Sequence, residues 1–243
     1  EPAGAGNKQI IHYGGDSGTL ADYRKGFLYL YHNTIISTRT DSTTLMRLSS
    51  NDEHCDARDN IIYVTTAGNG LALLDSSGVL DFKKNWLKPG YVSSFGGLTG
   101  TINNDGTSIT GTSPGFVDFA GQDFALAVGS ACLDAAIAVN PAVLPDGAIT
   151  RQYVRHQSSE LRSVSGAASD VGAFERMPPV CVGDLDCDGD RDLADVDVFV
   201  TVLLNPAGYA GCDITRADLN GDGIADGRDT VWLIAALLSG QCG

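Results

Sequence analysis

Basic residues are scarce in this chain: 16 Lys and Arg stand against 30 Asp and Glu, a formal net charge of −14 over 243 residues. That balance leaves no basic clusters to contact phosphates, so neither nucleic acid nor an anionic membrane surface is an expected partner. Long apolar runs are also missing, and no stretch approaches the roughly 20 residues of a membrane span. The four histidines, His12, His32, His54 and His156, lack metal-ligand spacing, and no G-x-S-x-G or Cys/His nucleophile signature occurs. The chain has no initiator Met and no apolar signal-peptide core, so it is expected to be a processed or truncated product. Helical periodicity is rare before residue 177, which argues for β structure there.

The acidic residues concentrate near the C-terminus. From Cys181 onward there are twelve Asp against three Arg, a net −9 of the total −14. Residues 184–195 read D-L-D-C-D-G-D-R-D-L-A-D, and residues 218–229, 34 positions later, read D-L-N-G-D-G-I-A-D-G-R-D. Ca²⁺ takes about six to eight oxygen ligands at ~2.3–2.6 Å, and a twelve-residue loop wraps them around it when glycine makes the turn at position six. The first loop offers Asp184, Asp186, Asp188, Asp192 and Asp195 side chains and the Asp190 carbonyl, with Gly189 at six. The second offers Asp218, Asn220, Asp222, Asp226 and Asp229 with the Ile224 carbonyl, and Gly223 at six. Two Ca²⁺ ions are therefore expected. After the first loop, Val196, Phe199, Val200, Leu203 and Leu204 fall on one helical face, and Leu233, Ile234, Leu237 and Leu238 repeat that pattern 34 residues on.

Position twelve is Asp where ordinary calcium hands carry Glu. With the tandem spacing and the single helix after each loop, residues 181–243 resemble the type I dockerin family. The resemblance implies a small all-α module, an extracellular location and a cohesin-like partner domain. It also implies that positions ten and eleven select the partner. These are Leu193 and Ala194 in one repeat, Gly227 and Arg228 in the other, and the mismatch predicts a single docking orientation. Four of the six cysteines, Cys181, Cys187, Cys212 and Cys242, crowd this short segment. They are expected to pair among themselves, in any of three connectivities, because a module of about 60 residues has a marginal core.

In residues 1–176, three segments align on an asparagine at 33, 60 and 85: L-Y-L-Y-H-N-T-I-I, C-D-A-R-D-N-I-I-Y and L-D-F-K-K-N-W-L-K. Alternation sends Leu28 and Leu30, Cys55 and Ala57, and Leu80 and Phe82 inward, with Ile35, Ile62 and Leu87 following. Tyr29 and Tyr31, Asp56 and Arg58, and Asp81 and Lys83 then face outward. An Asn recurring at one bend forms a stacked amide ladder between coils about 4.8 Å apart, the logic of a right-handed parallel β-helix. Asn7 is read as marking a further coil, Asp59 as pairing with Lys84 across coils, and Cys55 as buried core filler. The later words T-S-P-G-F-V-D, D-F-A-L-A-V-G-S-A-C-L-D-A-A and S-D-V-G-A-F-E resemble the closing segment of the pectate-lyase-like β-helix superfamily, which folds back over the last coil. Met177-Pro178-Pro179-Val180 reads as a stiff linker.

The expected architecture is therefore mainly β: a right-handed parallel β-helix over 1–176, a linker at 177–180, and a dockerin-like calcium module over 181–243. The expected role is that of a secreted or cell-surface structural or adhesive protein, glycan-facing, joined to a cohesin-like domain or to another copy of itself, with filaments as one form. The alternative is a polysaccharide lyase or glycoside hydrolase. For that chemistry the stacked outward residues Asp56, Arg58, Asp81 and Lys83 are the catalytic candidates, since a lyase pairs acidic calcium ligands with a base next to a uronate.

Overall fold

The computed structural model describes residues 6–16, 18–154, 157–176, 181–186, 190–206, 209 and 214–239. Two units divide the chain, Glu1–Arg176 and Met177–Gly243. The linker expected at 177–180 lies outside the described residues.

A β-solenoid of about three turns makes up most of the first unit. Its first coil holds β1 (Gln9–Tyr13), β2 (Gly26–Tyr31) and β3 (Thr34–Ser37). The second holds β4 (Thr43–Leu48), β5 (Glu53–Arg58) and β6 (Ile61–Val64), and the third β7 (Leu71–Leu74), β8 (Val79–Lys83) and β9 (Trp86–Leu87). Two further strands, β10 (Thr101–Asn104) and β11 (Ile109–Thr110), begin a fourth. Equivalent strands pair in parallel into three sheets: β1-β4-β7, β2-β5-β8-β10 and β3-β6-β9-β11.

The register stacks Leu28 on Cys55 on Leu80, Leu30 on Ala57 on Phe82, and Ile35 on Ile62 on Leu87, all within one apolar core. Each fully buried Leu or Phe of these rows removes enough apolar surface to stabilise the fold by about 1.5–3 kcal/mol. Cys55 is a free, buried thiol, and burial pushes it up to about 12.

The bend between the second and third sheets is held by the asparagines. His32, Asp59 and Lys84, one before each, adopt left-handed backbone with φ of 50°, 55° and 52°. Asn33 Nδ2 donates to Asn60 Oδ1 at 2.9 Å, and Asn60 Nδ2 donates to Asn85 Oδ1 at 2.8 Å. Each Oδ1 also accepts the backbone N–H of the Asn on the coil before, at 3.0 Å. In the next coil Ser108 takes over, its Oγ accepting from Asn85 N at 3.3 Å. Asn7 stands outside the ladder: it precedes β1 in the first sheet, where its Oδ1 accepts from Gln9 N.

The closing segment covers one flank of the solenoid. It forms the hairpin β12 (Phe116–Asp118) and β13 (Asp123–Leu126), then a second hairpin, β14 (Arg151–Val154) and β15 (Ser158–Leu161). It packs on the flank from Ile109 of the last coil back to the first. Gly172 N donates to Asp59 O at 2.8 Å, Ala173 N to Thr34 Oγ1 at 3.0 Å, and His32 Nδ1 meets Asp170 O at 3.1 Å. The reason is apolar. Ile61 and Trp86 alternate outward from the third sheet and need cover, which Leu126, Cys132 and Val171 provide in a second core. Gly172, at φ +103°, permits that approach, because a Cβ there would stand 2.6 Å from Ile61 Cδ1.

In the second unit α1 (Ala194–Leu204) and α2 (Thr230–Ser239) follow the two loops. Their core is Leu185, Phe199, Val202, Ala217 and Leu233. The predicted apolar face is split. Val196, Leu203 and Leu237 pack against the core, whereas Val200, Leu204, Ile234 and Leu238 are 44%, 81%, 52% and 84% exposed. The loops cause this rotation: Asp195 and Asp229 must point into them, so each helix buries the face shared with that Asp, carrying Phe199 and Val202 or Leu233.

Candidate functional site

Position twelve organises both loops. Asp195 Oδ1 accepts from Leu185 N at 2.6 Å and Asp186 N at 3.2 Å, while Oδ2 accepts from Asp192 N at 2.8 Å. Asp229 repeats the arrangement, with Asn220 N at 2.9 Å on Oδ1 and Asp226 N at 2.9 Å on Oδ2. Position nine caps the following turn in each repeat: Ala194 N donates to Asp192 Oδ1 at 2.6 Å, and Arg228 N to Asp226 Oδ1 at 2.7 Å. The twelfth side chain thus staples the two halves of its loop, a task within the reach of Asp.

One carboxylate oxygen from each of Asp184, Asp186 and Asp195 lies within 4.8 Å of the other two. Oxygens bound to one Ca²⁺ at ~2.3–2.6 Å are at most about 5 Å apart, so this trio fits a single ion, and an all-oxygen donor set suits a hard cation. Asp190 and Asp192 stand on the outgoing half of that loop, and Asp188 and Gly189 lie outside the described residues. Around the second loop the donors are wound onto their own backbone. Asp218 Oδ1 accepts from Gly221 N and Asp222 N and Oδ2 from Gly223 N; Asn220 Oδ1 accepts from Asp222 N, and Asp222 Oδ1 from Ile224 N. Gly223 takes φ +91°, the left-handed turn required of position six.

Arg216 gave no signal in the sequence. It leads into the second loop yet reaches the first, where its Nη1 donates to Asp184 Oδ2 at 3.1 Å and lies 3.3 Å from Asp184 O, all of it buried. A guanidinium here offsets part of the repulsion among the Asp side chains. Leu193 and Ala194 are exposed beside one loop, Gly227 and Arg228 beside the other. Cys181 is disulfide-bonded, and Cys187, Cys212 and Cys242 lie outside the described residues.

On the solenoid, Asp56 stacks on Asp81 and Arg58 on Lys83, as the alternation requires. Asp56 nevertheless ends buried. Arg58 grips it through Nε and Nη2, both at 2.7 Å, and Asn140 Nδ2 donates to it at 2.9 Å from the closing segment. Burial works against its ionisation, but the Arg58 and Asn140 hydrogen bonds outweigh it and hold the carboxyl below the usual range. Arg58 also donates to Ala138 O at 3.1 Å. Asp81 accepts from Asn103 Nδ2 at 2.8 Å, and Lys83 is half-buried. The four candidates therefore split into a locked pair under the closing segment and a second pair that is half-buried.

Asp59 is fully buried and forms no cross-coil pair with Lys84; its Oδ1 accepts from Ile137 N at 3.0 Å. Its Oδ2 has no hydrogen-bond partner and faces His32 Nε2 at 3.8 Å. Burial pushes this carboxyl up to about 7, while burial and the Arg162 charge push His32 down to about 4. The bend that placed Asp59 before Asn60 was legible, but its cover by the closing segment was not. Along the outward face of β2, Phe27 lies flat beside Tyr29 at 5.8 Å and against His54 at 4.7 Å, and Tyr31 continues the row at 5.9 Å. Among the described residues no helix is long and apolar enough to cross a membrane. Compared with known proteins, the chain matches no family model, no curated protein and no solved structure.

Proposed function

We propose that this chain is an extracellular structural or adhesive β-solenoid, held in place by a dockerin-like module that two Ca²⁺ ions lock and that a cohesin-like domain receives. The observation carrying this reading is the repeat of an exposed apolar pair on the helix after each loop. Val200 and Leu204 on α1 recur as Ile234 and Leu238 on α2, 34 residues on, all solvent-facing. Soluble units seldom leave such a surface without a partner. Leu193, just before α1, and Val231 on α2 are exposed as well. Ca²⁺ supplies the positive charge that draws the carboxylates together, and Asp184, Asp186 and Asp195, with their counterparts Asp218, Asn220 and Asp229, would hold it.

The outward row of Phe27, Tyr29 and His54 supports a glycan-facing role for the solenoid, since flat rings next to polar side chains suit a surface that is apolar and hydroxylated at once. Docking is tested with calcium-loaded protein and purified cohesin domains. Changing Leu193 and Ala194, or Gly227 and Arg228, should weaken binding unequally, with at least a tenfold (about 1.4 kcal/mol) loss for the pair that contacts the partner. Equal binding after both pairs are changed overturns the assignment. Calcium-dependent association of the chain with itself replaces the cohesin with a second copy.

A further inference from the structure

Ser49, His12 and Asp16 come together at the outer edge of the first sheet, where no motif marks them. His12 sits between Ile11 and Tyr13, which pack on the core, so its imidazole faces outward. Parallel pairing of β1 with β4 sets His12 opposite Arg47 and Tyr13 opposite Leu48, and the next residue, Ser49, closes the strand through its N–H to Tyr13 O at 3.2 Å. Ser49 Oγ then lies 2.8 Å from His12 Nε2, and His12 Nδ1 lies 3.3 Å from Asp16 Oδ2. Arg47 Nη2 holds the other Asp16 oxygen at 2.8 Å. The Asp16 carboxylate near Nδ1 electrostatically favours a proton there, which turns the Nε2 lone pair to the hydroxyl, and Ser49's other acceptor, Tyr13 O at 3.4 Å, is more distant.

The backbone around the serine is fitted to it. Gly14 takes φ +120°, and a Cβ there would overlap Ser49 Oγ and Cβ. Gly15 N–H points at Oγ from 3.0 Å.

The geometry points to a further activity: Ser49, His12 and Asp16 act as a nucleophile, base and orienting carboxylate that hydrolyse short-chain carboxylic esters, with Gly15 N–H fixing the position of Ser49 Oγ. Ser49 Oγ bonds to the acyl carbon while its proton passes to His12 Nε2 and the carbonyl π pair moves onto oxygen. As the C=O reforms, the alkoxide leaves with that proton, giving an acyl-serine. Water then attacks the acyl carbon, again losing a proton to Nε2, and the proton returns to Oγ as the carboxylic acid departs. Esters fit better than amides because an alkoxide is a better leaving group than an amide anion. A small acyl group such as acetyl suits an open site, since the His12 and Asp16 side chains are 27% and 61% exposed.

The full chain is treated with diisopropyl fluorophosphate and its peptides mapped by mass, alongside 4-nitrophenyl acetate hydrolysis. The expected result is one phosphoryl adduct on Ser49 and a kcat/KM that falls by about 10²–10⁴-fold in Ser49→Ala and His12→Ala. Asp16→Asn, at a largely exposed position, should lose both labelling rate and activity while folding normally. An unlabelled Ser49, or variants that hydrolyse the ester as fast as the parent chain, would mean that these groups only tie β1 to β4, and the proposal falls.

Discussion

Asp59 is buried with its free carboxyl oxygen 3.8 Å from His32 Nε2, and the titration of each has a definite sign. The folded pKa of Asp59 is raised, so its contribution to stability is complete below the unfolded value of 3.8 and is lost as pH rises through about 7. His32 is lowered, so its contribution is present above 6.5 and is lost as pH falls through about 4. Between about 4 and 6.5 the unfolded chain carries both charges and the folded chain neither, so the pair binds the same number of protons in each state and its slopes cancel. Asn at 59 keeps an acceptor for Ile137 N and removes the ionisable group. Asp59→Asn should therefore be more stable than the parent by about 1–3 kcal/mol in urea unfolding at pH 8, the gap closing toward pH 4. A variant less stable at pH 8 contradicts this account. The inward residues were legible because a period of two admits one assignment of faces. The fate of Asp56 and Asp59 was not, because their cover comes from residues 137–140 and 170–172, remote in sequence.

At the scale of elements, local pattern and remote packing divide in the same way. The asparagine spacing of 27 and 25 residues reads directly as stacked coils, because each Asn bonds the next. Both helices were visible from their apolar residues, but their rotation was set by Asp195 and Asp229, which a hydrophobic pattern ignores. The path of the closing segment depended on the apolar flank of Ile61 and Trp86, and only a glycine lets it lie so close. Gly172→Ala should destabilise the first unit by about 1–3 kcal/mol, through overpacking against Ile61 and Thr34 and a strained positive φ. Hydrogen exchange should then speed up first in residues 132–176, while the Asn33–Asn60–Asn85 ladder keeps its protection. Equal protection in parent and variant would show that the segment is not anchored there.

Over the whole molecule, two units of different physics share one chain. The solenoid is sustained by stacked apolar rows and an amide ladder, neither of which involves a cation. The second unit has a small core, a buried Arg216–Asp184 pair and twelve Asp within 63 residues, a charge density that favours unfolding until something neutralises it. Its exposed apolar helix residues and its loops belong to one design if calcium orders the loops and the loops set the helix rotation. Differential scanning calorimetry of the full chain, with millimolar calcium and then with chelator, tests this most directly. Two transitions are predicted, of which only the second unit's moves, rising by the equivalent of about 2.7 kcal/mol when calcium reaches roughly 100 times its dissociation constant. A second-unit transition that stays at the same temperature with and without calcium would contradict the account.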